Sequence, residues 1–138
     1  ICNHVAPVRY WMHNNMITID GKKMGKSYNN YITLTQMFDG SNPVLTKAYH
    51  PMVIRFFVLQ THYRSTLDFS NDALQASEKG LRRLWDAYEA LEKMVQQSAG
   101  GAQAGEAAMD EKVLRLVNEF DEFMNDDFST AKVLANMF

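Results

Sequence analysis

MITIDGKKMGKS, residues 16–27, changes from an apolar run to a basic turn, and this change predicts the elements at the centre of the fold. The four residues before Asp20 are apolar or β-branched, and Asp20-Gly21 favours a tight turn, so residues 16–19 predict one short buried strand. Residues 21–27 hold two glycines and three lysines with almost no apolar content. They predict a basic loop directly after the strand.

Helices are predicted on both sides of this loop. Short helices are expected at 5–13, 33–38 and 51–62, and residues 63–69 form an extended connection. Ser70 caps a long amphipathic helix in which apolar residues recur every seven positions, with Trp85 and Tyr88 in its packed core. A Gly/Ala/Gln-rich linker at about 98–105 precedes helices at 109–124 and after Ser129. The second half therefore predicts a truncated antiparallel helical bundle, and the whole chain is mostly α with a small α/β part.

The composition and charge of the chain exclude several classes of protein. The 138 residues are 46% hydrophobic and 22% charged, as in ordinary globular proteins, and the single cysteine excludes an internal disulfide. No apolar run approaches the ~20 residues of a membrane span, so a cytoplasmic location is expected. Residues 1–69 hold seven basic and three acidic side chains, a balance of +4, whereas residues 70–138 hold seven and thirteen, a balance of −6. This asymmetry predicts two parts with different roles, divided near residue 69.

The lysines of the loop suit contact with a phosphate chain. Ammonium groups stabilise charge on transferring phosphate oxygens, and a glycine lets backbone amides approach closely. The loop is not a Walker loop, because Gly21 lies one residue too close to Gly25-Lys26-Ser27 for that spacing. On charge alone, a solvated basic turn is the favoured interpretation.

Three segments carry a resemblance to a known family. KMGKS, residues 23–27, resembles the KMSKS signature of class I aminoacyl-tRNA synthetases, and the residues leading to it resemble the cysteinyl members of that class. THYRSTLDFS, residues 61–70, is similar to that family's His-Tyr-Arg-Ser-Pro-Leu segment, and DDFST, residues 126–130, resembles its Asp-Asp-Phe-Asn-Thr-Pro helix break. The matches follow the family order and cover nearly the whole chain.

The resemblance implies a fold and an activity. Residues 1–69 would be the end of a Rossmann-like catalytic domain with a stem-contact region, and residues 70–138 the start of a helical tRNA-binding domain. The parent enzyme would use ATP with Mg²⁺ to convert cysteine to cysteinyl adenylate and transfer it to tRNA(Cys). Zinc ligands are expected upstream of this chain, a monomer is favoured, and the chain alone is not expected to be active.

The resemblance also implies roles for individual residues. Lys26 would be the principal contact to the ATP phosphates and Lys23 the supporting one. Met24, Gly25 and Ser27 would complete the ATP-binding loop. Two interpretations of His62, Tyr63 and Arg64 stay open: a structural role at the helix exit, or a contact from Arg64 to phosphates of the tRNA acceptor stem. Two departures from the family pattern stand out: a glycine at position 25 in place of the more common serine, and Tyr28-Asn29-Asn30 in place of Leu-Gly-Asn. Loss of the glycine of Leu-Gly-Asn is expected to stiffen the exit from the loop.

Two other functions remain open from the residues. One is an ATP-dependent cysteine ligase of thiol biosynthesis on the same scaffold, which would join cysteine to a glucosamine-inositol acceptor. The other is a non-catalytic helical RNA- or protein-binding module in which the lysines only contact phosphates. Cys2 and His4 predict no metal site, because two ligands leave a tetrahedral zinc site half empty.

Overall fold

The fold consists mainly of helices around one small sheet. A computed structural model describes residues 8–98 and 107–138. Its elements, in chain order, are β1 (Ile17–Ile19), β2 (Lys22–Lys23), α1 (Leu34–Asp39), α2 (Pro51–Leu59), β3 (Leu67–Phe69), α3 (Asn71–Ser98), α4 (Ala107–Asn125) and α5 (Thr130–Asn136). The prediction of a mostly α chain with a small α/β part is confirmed.

The sheet has the strand order β2-β1-β3 and is built around the predicted strand. β1 and β2 are antiparallel and joined by Asp20 and Gly21, whose φ angles of 49° and 74° are those of the left-handed turn that suits a tight hairpin. β1 and β3 are parallel, so α1 and α2 lie in the crossover between them. Residues 22–23 and 67–69, predicted as loop and extended connection, are therefore strands.

The core lies between the sheet, α2 and the first turns of α3. The side chains of Tyr49 and Leu74 are only 1% and 0% exposed. The rings of Phe57 and Phe69 meet edge to face, with their centroids 4.8 Å apart. The other buried core residues are Ile19, Ile32, Met37, Val53 and Ile54. β3 and α3 thus contribute to the same core as the strand that leads into the basic loop.

The predicted antiparallel bundle is not confirmed. Among the described residues, α3 packs on α2 and α4 packs on α5, while α3 and α4 are not a packed pair. Trp85 and Tyr88 are 58% and 60% exposed, so their predicted place in a bundle core is wrong. The heptad pattern therefore predicted the α3 helix, but not which part of its apolar face is covered.

The N-terminal prediction also differs from the structure. Residues 8–13 are not helical, so the helix predicted for this segment is wrong there. Most of the predicted linker, together with Cys2 and His4, lies outside the described residues. Within the described residues, no helix combines the length and the apolar composition needed to cross a bilayer.

Replacing Leu74 with alanine should destabilise the chain far more than the same change at Leu91 in the same helix. Leu74 is fully buried, so Leu74→Ala removes packed methyl groups and leaves a cavity, at a cost of roughly 2–5 kcal/mol. Leu91 is 61% exposed, and Leu91→Ala should change the free energy of unfolding by no more than about 0.5 kcal/mol. Urea unfolding followed by circular dichroism measures both, and equal losses would contradict this account of the core.

Candidate functional site

The first two lysines of the basic loop lie in β2, and the rest of the loop follows the hairpin. The Met24 N–H donates to the Ile17 carbonyl at 3.2 Å, and the Met24 side chain packs against the core. Gly25 is extended, residues Lys26–Tyr28 form one turn of 3-10 helix, and Asn29 ends that turn with a φ of 51°. The hairpin and Met24 thus fix one end of the loop, and a left-handed residue reverses the chain at the other.

The lysines of the loop are available to a ligand. Lys22, Lys23 and Lys26 are exposed, and none of them forms a salt bridge within residues 8–98 and 107–138. The Lys26 ammonium lies 5.6 Å from the centre of the Tyr31 ring, a cation–π distance. The loop therefore presents unneutralised positive charge that can contact an anion such as a phosphate chain.

The two departures from the signature pattern have local explanations. A Cβ atom placed on Gly25 would lie 3.2 Å from Cδ2 of Tyr28, a tight contact, so the glycine leaves room for the larger ring. Asn29 stands where the pattern has glycine, and asparagine is among the residues that tolerate its left-handed conformation. Its N–H donates to the Lys26 carbonyl at 3.1 Å. The chain reversal is thus present without the glycine, and the expected stiffening of the loop exit stays a prediction.

Asp68 connects the hairpin turn to β3. Its carboxylate accepts hydrogen bonds from the Thr18 hydroxyl at 2.5 Å and from the Gly21 N–H at 2.8 Å. No functional role is predicted for Asp68 from the sequence. The alternation Leu67-Asp68-Phe69 is a strand signal, but three residues are too few for a period of two to be distinguished from chance.

Arg64 is part of a cluster around Asp127. The Arg64 Nε lies 2.6 Å from Asp127 Oδ2, and the Tyr63 hydroxyl donates to Asp127 Oδ1 at 2.5 Å. The His62 Nε2 lies 3.0 Å from the Asp127 carbonyl oxygen. The Tyr63 hydroxyl and then the Arg64 guanidinium hold the pKa of the Asp127 carboxyl below its ordinary value. The same carboxylate raises the pKa of Arg64.

The cluster joins two of the segments that carry the family resemblance, 61–70 and 126–130. It connects the residues that follow α2 to the turn between α4 and α5. The Arg64 side chain is 66% exposed even though its guanidinium contacts the carboxylate. Its predicted contact with an RNA phosphate stays a prediction, and the structure adds an internal partner.

The predicted residues are thus placed in two groups. Lys23, Met24, Gly25, Lys26 and Ser27 are brought together in the loop, and Arg64 lies in the separate Asp127 cluster. Among the described residues, no group of three or more His, Cys, Asp or Glu side chains is arranged to hold a metal ion. The expectation of zinc ligands in the parent enzyme stays a prediction.

Comparisons with known proteins show similarity to tRNA synthetases. Residues 2–79 match the sequence profile of a family described as "tRNA synthetases class I (C) catalytic domain". The chain is 54% identical over 131 residues to a Bacteroides fragilis protein named cysteine–tRNA ligase, covering 95% of this chain and 25% of that protein. Proteins of the same name from Parabacteroides distasonis and Cytophaga hutchinsonii are 55% and 45% identical, over 95% and 99% of this chain and 25% and 27% of theirs. The chain therefore spans about a quarter of the length of these relatives.

Replacing Asp127 with asparagine should weaken the cluster in a pH-dependent way. Because folding lowers the pKa of this carboxyl, its ionised form stabilises the fold above the ordinary value of 3.8, and this contribution is lost as the pH falls through the folded-state pKa. Asp127→Asn should therefore lower the free energy of unfolding near neutral pH, and the difference from the unmodified chain should shrink below about pH 4.

Urea unfolding at several pH values measures this difference. Asp121→Asn, at an exposed position on α4, is the matched control and should have little effect. A difference for Asp127→Asn that stays constant from neutral to acid pH would show that the charge of this carboxylate does not stabilise the cluster.

Proposed function

This chain belongs to the class I tRNA synthetase (C) family, and we propose that it is part of a ligase that joins cysteine to tRNA(Cys). The observation that carries the proposal is the basic loop. Its KMGKS residues start in β2 of a hairpin anchored in the core, and its exposed lysines form no salt bridge within the described residues. The names of the relatives at 45–55% identity support cysteine as the amino acid.

The proposed reaction has two steps. The substrate is ATP bound to Mg²⁺. A carboxylate oxygen of cysteine attacks the α-phosphorus of this ATP, cysteinyl adenylate forms, and pyrophosphate leaves. A ribose hydroxyl of the terminal adenosine of tRNA(Cys) then attacks the carbonyl carbon, and AMP leaves. Negative charge builds up on the phosphate oxygens in the first step, where the ammonium groups of Lys26 and Lys23 would stabilise it.

The resting position of Lys26 supports this role. A cation–π contact at an exposed site is worth about 0.5–1 kcal/mol, whereas hydrogen bonds to charged groups are worth about 1.5–3 kcal/mol. A phosphate oxygen would therefore displace the Tyr31 ring as the partner of the Lys26 ammonium. When no anion is bound, the Tyr31 ring holds the Lys26 ammonium only weakly.

The domain assignment is part of the same proposal. Residues 1–69 would belong to the Rossmann-like catalytic domain and stem-contact region, and residues 70–138 would begin the helical domain that meets tRNA. The family match continues to residue 79, within the first turns of α3, which pack against α2. Arg64, whose side chain is largely exposed, would contact phosphates of the acceptor stem.

Replacing Lys26 with alanine should abolish most of the activation step. In the full-length protein, we expect Lys26→Ala to lower cysteine-dependent ATP–pyrophosphate exchange by about 10²-fold or more, because a charge that stabilises the transition state is removed. Lys93→Ala, which removes an exposed lysine on α3, is the matched control and should leave exchange unchanged.

The same assay, together with measurements of RNA binding and of acyl transfer, separates the alternatives. Normal exchange by Lys26→Ala with weakened RNA binding would indicate the non-catalytic RNA-binding module. Exchange supported by methionine, leucine or valine but not by cysteine would contradict the proposed specificity. Transfer of the activated cysteine to a glucosamine-inositol acceptor rather than to tRNA would indicate the thiol-biosynthesis ligase.

A further inference from the structure

Asn30 makes two hydrogen bonds to the backbone of the basic loop. Its side-chain Oδ1 accepts from the Gly25 N–H at 2.9 Å, and its Nδ2 donates to the Lys23 carbonyl at 3.0 Å. Asn30 is half-buried, whereas Lys23 and Lys26 are exposed. The side chain that bonds the loop backbone is thus better shielded from water than the side chains that the loop presents.

This pair of bonds needs a donor and an acceptor on one short side chain. An amide supplies both, whereas a carboxylate only accepts and an alanine does neither. The two bonds lie on either side of Met24, so the amide contacts the backbone as a neighbouring strand would. Because Asn29 is left-handed, the chain turns back after the 3-10 turn and brings Asn30 to this position.

We propose that Asn30 is a positioning residue for the signature lysines, and we call its two hydrogen bonds the Asn30 clamp. The inference rests on the proposed function. Asn30 fixes the backbone of residues 23–25, and this sets where the Lys23 and Lys26 ammonium groups meet the ATP phosphates. A flexible loop would lose conformational entropy when it is ordered at the transition state, which raises the barrier. A loop that is already ordered in the folded protein avoids this loss during the reaction.

The clamp itself is tested by limited trypsin proteolysis, whose readout is independent of catalysis. Asn30→Ala should speed cleavage after Lys23 and Lys26 by about 10-fold, since loss of two hydrogen bonds raises the open population of the loop. Cleavage after Lys93 and Lys112 should not change. Asn30→Asp, which keeps the acceptor but loses the donor, should show an intermediate rate.

Asn118→Ala, which removes an exposed asparagine on α4, is the matched control and should leave every cleavage rate unchanged. Loop cleavage at the unmodified rate in Asn30→Ala would overturn the clamp.

The positioning role is tested by ATP–pyrophosphate exchange in the full-length protein. Asn30→Ala should lower kcat by about 10-fold with little change in the KM for cysteine, because the loop acts on the phosphates. In a Lys26→Ala background the same change should cost less than about twofold, since the residue acts through that lysine. A purely structural residue would instead give losses that multiply, and that result would overturn the proposal.

The two assays keep the two proposals distinct. No cysteine-dependent exchange by the unmodified full-length protein would overturn the proposed function, while proteolysis would still decide whether the clamp exists. Exchange that is normal in both the unmodified protein and Asn30→Ala would leave the proposed function standing and overturn the role of Asn30.

Discussion

The parallel pairing of β1 with β3 is the constraint on which the position of the basic loop depends. It places Thr18 opposite Asp68 and Ile19 opposite Phe69. Asp68 can then accept hydrogen bonds from the hairpin turn, and Phe69 can pack against Phe57 in the core. A parallel pair needs a crossover of a dozen or more residues, and α1 and α2 lie within this one. The lysines are therefore anchored through the core and not only through their own turn.

Residues 62–64 provide a second connection, because they are bound from two sides. Asn15 donates its backbone N–H to the Tyr63 carbonyl at 2.9 Å and its side-chain amide to the Arg64 carbonyl at 2.8 Å. On the other side, the Tyr63 and Arg64 side chains bind Asp127. The segment thus links the residues before β1 to the turn between α4 and α5.

Local signals predicted several helix boundaries correctly. Thr33 caps α1 in a reciprocal capping box with Gln36, and the Ser70 hydroxyl accepts from the Ala73 N–H at the start of α3. The break after Asn125 is present, with Asp127 in the left-handed region. Each of these features depends on contacts within one turn of the chain. Such contacts are visible in a window of a few residues.

The predictions that were wrong concern features that depend on contacts between distant parts of the chain. β2 and β3 are two and three residues long, too short to show a periodic pattern of apolar residues. β3 is a strand because it pairs with β1, whose residues lie 50 positions earlier in the chain. Trp85 and Tyr88 have the spacing of a core stripe, yet α3 extends beyond the part of α2 that covers its first turns. A periodic pattern shows which face of a helix is apolar. It does not show whether another element packs on that face.

The amino-acid sequence alone determined the family, the KMGKS loop and its charge, because these depend on residue identity and on spacing along the chain. Tertiary structure alone decided that Asp68 supports the hairpin and that Arg64 binds Asp127. These partners lie 47 and 63 residues apart in the chain, and many carboxylates could compete for the same donors. Which one is chosen depends on the strand register and helix packing that bring a donor and an acceptor within about 3 Å.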